Sequence, residues 1–249
     1  MTPSLLVIIV SALYLLAAPA LAVGLRDGHA GARSLGLVLS VAALLGHAWV
    51  ELAQMQAAGG FTADFFSSLS LVALIVNAIL LAACLRFPVL ELLPVALPSA
   101  ALLLVLQGVF SPDPTALAPA DPRIEVHVIS SLLAYSVLLI AAMNAVFIFI
   151  QHQMLHRRCS ARLLDALPPL ASMERLLFQL IAAGWLLLCV SLGTGLVFVD
   201  DLFAQHLVHK TVLSLLAWLI FGLLLYGRWR HGWRGMRVVR LCLIGVVIL

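Results

Sequence analysis

The sequence predicts an all-α, polytopic membrane protein of about eight transmembrane helices with its N-terminus outside, and three observations lead there. First, 64% of the 249 residues are apolar and only 10% are charged, against roughly 45–50% and 25% in an ordinary soluble domain. Such a chain cannot cover itself with polar surface in water. This excludes a soluble globular enzyme, a nucleic-acid-binding domain and a disordered regulator. Second, apolar runs of about 20 residues, the length that crosses a bilayer, recur along the whole chain. Third, the basic residues concentrate in alternate loops.

Runs bounded by charge, proline or glycine place spans near residues 4–25, 34–55, 64–86, 89–110, 125–152, 172–199, 206–227 and 238–249. Helices are expected because a helix satisfies its own backbone in hydrocarbon and no alternating barrel pattern appears. The first run ends in Ala20-Leu21-Ala22, a possible cleavage site, but no basic segment precedes it, so an uncleaved helix is expected. The fourth holds Pro94 and Pro98 and should be kinked or broken. Only nine apolar residues follow Arg240 in the eighth, so the last helix is expected to stop short of its natural end.

One set of loops carries Arg26, Arg33, Arg86, Arg157, Arg158, Arg162, Arg175, Arg228, Arg230, Arg234, Arg237 and Arg240, twelve of the fourteen basic residues. The alternate loops hold only Arg123 and Lys210, beside Asp64, Asp113, Asp121, Asp200 and Asp201. The basic side faces the cytoplasm, which puts the N-terminus outside. The chain reads as a single integral membrane domain over 1–249. A front half, 1–110, and a back half, 125–249, are joined by a Pro-rich outer loop, 111–124. Cys84, Cys159, Cys189 and Cys242 show no CxxC spacing and read as small apolar fillers, not as a disulfide or haem-attachment framework.

Polar groups in hydrocarbon are costly, so each asks for a reason. His29, His152, His156 and His231 fall among the inner arginines and read as a solvated collar. His152 and His156 share a helical face, but no carboxylate nearby in sequence completes a metal site. His127, His206 and His209 lie at the outer ends of the fifth and seventh spans. Arg123 precedes His127 by four residues and Lys210 follows His206 by four, so an imidazole and a cation share a face on each of two helices. Tyr135 lies two turns deeper than His127, and Trp218 two turns below Lys210. Axial imidazole for iron, cations for propionates and aromatic walls for a macrocycle make this arrangement suit haem at the outer membrane surface, although other anionic amphiphiles fit too.

His47 and Glu51 form an i, i+4 pair in the second span, a possible second polar site in which the carboxylate orients the imidazole or serves a proton relay. Asn77, Gln107, Asn144 and Gln179 are expected to hydrogen-bond between helices, and Ser191, Gly193, Thr194 and Gly195 to pack closely against a neighbour. No P-loop, HExxH, GxSxG or kinase signature appears, and no catalytic residue is assigned.

Three stretches carry a resemblance: HVISSLLAYSVLLIAAMNAVFIFI from His127, LPPLASMERLLFQLIAAGWLLLCVSLGTG from Leu167, and HKTVLSLLAWLIFGLLLYGRWRHGWRGMR from His209. Together they resemble the cytochrome c assembly protein family, the haem-handling membrane proteins of the CcsA, CcmC and HemX types, and within it the compact YpjD-like inner-membrane proteins. The resemblance implies a bacterial inner-membrane protein that handles haem or another tetrapyrrole in cytochrome c biogenesis or haem delivery. His127 stands in the position of an outer axial histidine. By inference from the residues rather than from the family, His209 or His206 would ligate opposite it.

The implied partners are b-type haem, the lipid bilayer, and proteins of cytochrome c maturation or tetrapyrrole synthesis. Residues 198–209, FVDDLFAQHLVH, lack the family's tryptophan-rich motif. This keeps open an accessory or regulatory scaffold that does not ligate haem. His47, Glu51 and Asn77 keep open a small-ion or metal transporter.

Overall fold

The computed structural model describes residues 3–60, 64–87, 89–111, 122–156, 169–198 and 208–249, with the side chains of 3–4, 122–123 and 208–210 excepted. The described residues form helices α1 (Pro3–Arg26), α2 (Ala30–Ala58), α3 (Phe65–Ala83), α4 (Leu93–Phe110), α5 (Pro122–His156), α6 (Leu170–Phe198), α7 (Val208–His231) and α8 (Met236–Ile248). Seven helical segments are long and apolar enough to cross a membrane, and α8, at 13 residues, is too short. Large apolar side chains such as Leu16, Leu45, Trp49 and Leu186 are exposed along the long helices. Lipid tails are the solvent in which such exposure costs nothing.

The break expected in the fourth span does not interrupt the helix: a 3-10 turn, Leu90–Leu92, runs directly into α4, a common form of helix N-terminus. Pro94 then occupies the first turn of α4, where a missing N–H costs no hydrogen bond, while Pro98 lies within the helix.

The chain divides into two compact units, 1–120 and 121–249. In the first, α1 packs on α2 and α4, and α3 packs mainly on α4. Leu93, Ala96, Leu97, Ala100, Ala101 and Leu104 bury two sides of α4, while Val10, Tyr14, Ala17 and Leu21 bury one stripe of α1. The α1–α2 seam depends on small residues. A Cβ on Gly36 would lie 2.9 Å from the backbone N of Leu21 and 2.7 Å from its Cγ. At the start of α3, the Asp64 carboxylate accepts the Ser67 N–H at 2.8 Å and the Ser67 hydroxyl at 2.9 Å, an N-cap that satisfies orphan helix donors.

In the second unit α5 packs extensively on α6, α7 packs on α6 and α8, and α8 returns to α5. Ala134, Leu138, Ala141, Ala145 and Ile148 repeat at alternating intervals of four and three, so one face of α5 meets Met173, Leu177, Ile181 and Leu188 of α6. Ala217, Phe221 and Leu224 of α7 and Val239 and Cys242 of α8 complete this core. Asn144 donates to the Met173 carbonyl at 2.9 Å, and Glu174 accepts the Gly235 N–H at 2.7 Å, tying the α7–α8 connection to α6.

Two outcomes follow from these contacts. Gly36→Ala forces α1 off α2 and should cost about 1–3 kcal/mol, the usual range for overpacking. Gly31→Ala, with nothing within 4 Å of the added Cβ, serves as the neutral control in detergent thermal unfolding. For Asp64, burial alone would raise its pKa, but hydrogen bonds from Ser111 and Ser67 together hold it below the ordinary carboxylate value. Its cap contribution is therefore full above the unfolded carboxylate pKa and lost as pH falls through the depressed folded value. Asp64→Ala should remove about 1 kcal/mol at neutral pH and flatten the acid limb of the unfolding curve.

Candidate functional site

His127 lies in the second turn of α5, partly buried against the end of α6. Its Nδ1 stands 3.0 Å from the Ser191 carbonyl oxygen and 3.3 Å from Thr194 Oγ1. A carbonyl only accepts, so Nδ1 carries the proton and donates, and Nε2 of the neutral ring is left with its lone pair. Among the described residues Nε2 has no hydrogen-bond partner.

Ser131, one turn along α5, bonds Ser191 Oγ at 2.6 Å and donates to the His127 carbonyl at 2.7 Å, locking α5 to α6 beside the ring. Gly195 supplies the floor, since a Cβ there would come within 3.0 Å of His127 Cε1. The run from Ser191 to Gly195 does more than allow close helix approach: it holds an imidazole in one tautomer. Gly193, in the same run, faces open space.

Tyr135 is partly buried farther along α5. Trp218 of α7 stacks on Trp185 of α6, with centroids 5.7 Å apart and planes 17° apart. Its Nε1 lies 3.0 Å from Cys189 Sγ, and Trp185 Nε1 donates to the Trp218 carbonyl at 3.1 Å. One face and the N–H of Trp218 thus belong to the α6–α7 seam. Arg123 lies on α5 and His209 and Lys210 lie on α7, but their side chains fall outside the described residues, as does all of His206. His29, His156 and His231 are exposed, and the His152 and His156 rings lie 4.3 Å apart.

In the first unit, His47 and Glu51 of α2 are inside the bundle, at 0% and 3% relative exposure. His47 Nδ1 lies 3.2 Å from the Tyr14 hydroxyl of α1, and Nε2 lies 2.9 Å from Ser70 Oγ of α3 and 3.4 Å from Glu51 Oε1. From α4, the Gln107 amide donates to Glu51 Oε2 at 3.3 Å and to Gln54 Oε1 at 2.7 Å. All four helices of the unit therefore contribute to one polar cluster. The pairing of His47 with Glu51 is visible in the sequence. Tyr14, Ser70 and Gln54 are not, because their signal lies in contacts between distant segments.

The four amides expected to bridge helices divide evenly. Gln107 and Asn144 do bridge helices, whereas Asn77 donates to the Ala73 carbonyl of its own helix at 2.9 Å and Gln179 is exposed on α6. A single Asn or Gln in an apolar run has the option of bonding one turn back, and Asn77 takes it.

The architecture defines a class, a multi-pass helical membrane protein with one imidazole anchored at the start of a long helix and another enclosed in a polar cluster. Residues 33–249 match the family described as Cytochrome C assembly protein, and the chain belongs to that family. It is 32% identical over 229 residues to the inner membrane protein YpjD of Escherichia coli K12, an alignment covering 91% of this chain and 86% of that protein. The YpjD proteins of two further E. coli strains, O6:H1 and O157:H7, match to the same extent. An uncharacterized 28.8 kDa protein of Azospirillum brasilense is 30% identical over 128 residues, covering 51% of this chain and 47% of its own length. No solved structure matches the chain significantly.

The front cluster makes a stability prediction of its own. Gln107→Leu leaves the buried Glu51 carboxylate and the Gln54 carbonyl without that donor and should cost about 1–3 kcal/mol. Gln179→Leu, on the exposed face of α6, should leave the melting temperature within error of wild type.

Proposed function

We propose that this protein handles haem in a bacterial inner membrane, in or beside cytochrome c biogenesis, with His127 as an axial ligand. The observation that carries the reading is the anchored ring. A metal-ligating imidazole characteristically donates its second N–H to a carbonyl or carboxylate, which fixes the tautomer and raises the basicity of the free nitrogen. The Ser191 carbonyl does this for His127, and Thr194 lies within reach of the same N–H. The donor set therefore fits haem iron. His209 or His206 would be the candidate second ligand, Arg123 and Lys210 would partner the propionates, and Tyr135 and the partly buried Trp218 would be the walls.

When bound, haem supplies an iron that takes axial imidazole and two carboxylates that need cations. The chain's own residues hold the imidazole proton, orient the ring and present apolar helix faces. Family membership supports haem handling as the function, and the name of the E. coli relatives supports the inner membrane as the location. The loop charges support an N-terminus outside, which puts His127 at the periplasmic surface. Proteins of cytochrome c maturation or tetrapyrrole synthesis are the partners this reading implies.

Absorption spectroscopy tests it. Purified wild type, as isolated or loaded with hemin, should show a Soret band that sharpens on reduction and is lost or shifted in His127→Ala. Gly195→Ala pushes the ring off its floor and should also shift the band, while Gly193→Ala should not. A wild type that stays colourless with excess hemin overturns the proposal.

A further inference from the structure

The polar cluster of the first unit is independent of the haem reading and has its own chemistry. Tyr14, His47, Ser70 and Gln107 are at 0% exposure, and Glu51 is at 3%, within helices that span the membrane. A helical bundle gains nothing in stability from such a group that leucines would not supply, and an ionisable residue at this depth marks a functional site by default. Two buried oxygens in it, Glu51 Oε1 and Gln107 Oε1, have no hydrogen-bond donor. The cluster is short of hydrogen-bond donors.

Charge counting locates the deficit. The polar groups facing the pair among the described residues are few, and only one of them is titratable: α1 contributes the Tyr14 phenol, α3 the Ser70 hydroxyl and α4 the Gln107 amide. None of them is a cation. A neutral His47 with an ionised Glu51 therefore leaves one uncompensated negative charge in hydrocarbon, the costliest arrangement for a buried carboxylate. One added proton removes that charge, either as an imidazolium–carboxylate pair or as a neutral imidazole beside a carboxylic acid. The two atoms that face each other across the pair, His47 Nε2 and Glu51 Oε1, lie 3.4 Å apart.

A metal ion fits less well. Among the described residues no three His, Cys, Asp or Glu side chains form a metal site, and both nitrogens of His47 are already within hydrogen-bond distance of Tyr14 and Ser70. The same engagement, with zero exposure, leaves no open nitrogen for haem iron.

We infer that His47 and Glu51 form an exchangeable one-proton binding site, reached by water, which carries the proton, from the end of the unit where α2 stops, past Gln54 and Gln107. Gln54 is partly buried in the last two turns of α2, and its carbonyl accepts from the Gln107 amide, which in turn donates to Glu51. From Gln54 to His47 the row descends about 10 Å along the helix. Beyond it the core closes with Ala43, Ala17 and Leu21, all at 0% exposure, and the next hydroxyl, Ser40, is turned to the Gly36 carbonyl of its own helix. The row is open at one end only, so the site loads and unloads a proton from one side. The basic-residue distribution expects that side to be the outer one.

Infrared difference spectroscopy of the full chain in lipid nanodiscs, titrated with acid and base, tests the site. The expected result is a single one-proton transition in which imidazole and carboxyl bands change together, with slow hydrogen–deuterium exchange marking the buried group. Glu51→Gln should abolish the carboxyl change and uncouple the imidazole from it. Should that variant fail to fold, the wild-type exchange kinetics and the joint band changes still decide. Imidazole and carboxyl bands that titrate separately, or that do not titrate at all, overturn the proposal. A transition that moves when choline replaces Na+ assigns the site to an alkali cation and also overturns it. None of these outcomes depends on whether the protein takes up haem.

Discussion

Hydrocarbon offers no hydrogen bonds, and most of this molecule's polar chemistry follows from that constraint. A polar side chain inside a span must find a partner on its own helix or on another, or be left costly and unpaired. The chain uses both solutions. Ser40 and Asn77 turn back one turn along their own helices, which satisfies a donor without linking anything. Gln107, Asn144, Ser131 and Tyr14 reach across to other helices, and each of those bonds fixes one helix against another at a defined height. Dispersion and small-residue contacts bring the helices together. The cross-helix polar bonds specify the register, because sliding by a turn would strand a buried donor.

The spans were legible in the sequence to within about four residues at each end, since lipid imposes one length and one composition on every crossing. Where ends were misjudged, the physics is local. α2 and α5 run several residues beyond their apolar cores, because helix propensity and capping do not stop where hydropathy does. The prolines of the fourth span do not break its helix, which continues through Pro98. The structure adds that a 3-10 turn takes the irregularity, leaving Pro94 in the harmless first turn of α4.

The sites were legible only in part, and the boundary between the two parts is physical. An i, i+4 pair such as His47 and Glu51 is a statement about one helix and can be read from spacing. Tyr14 and Ser70 stand 33 and 23 residues from His47, and nothing local marks them as its partners. The Ser191–Gly195 run shows the same limit from the other direction. Its small residues announce close packing, but what packs there is a ring from a helix more than 60 residues earlier. The serine carbonyl that fixes the tautomer is backbone, and so no residue type in the sequence signals it.

The two buried imidazoles invite comparison because the same side chain meets opposite boundary conditions. His127 has one nitrogen held and one without a partner among the described residues, and its ring is partly accessible. An electrophile can approach it without breaking any bond, which is what ligation of a metal requires. His47 has both nitrogens engaged, no exposure and a carboxylate one turn away. A ligand to its nitrogens would have to displace Tyr14 or Ser70, and the acceptors left without donors in the cluster are Glu51 Oε1 and Gln107 Oε1. The difference is set by neighbours, since a backbone carbonyl and a glycine leave the first imidazole open while a tyrosine, a serine and a glutamate close the second. In a chain with so few ionisable groups, depth and hydrogen-bond count thus separate two environments that residue identity alone would merge.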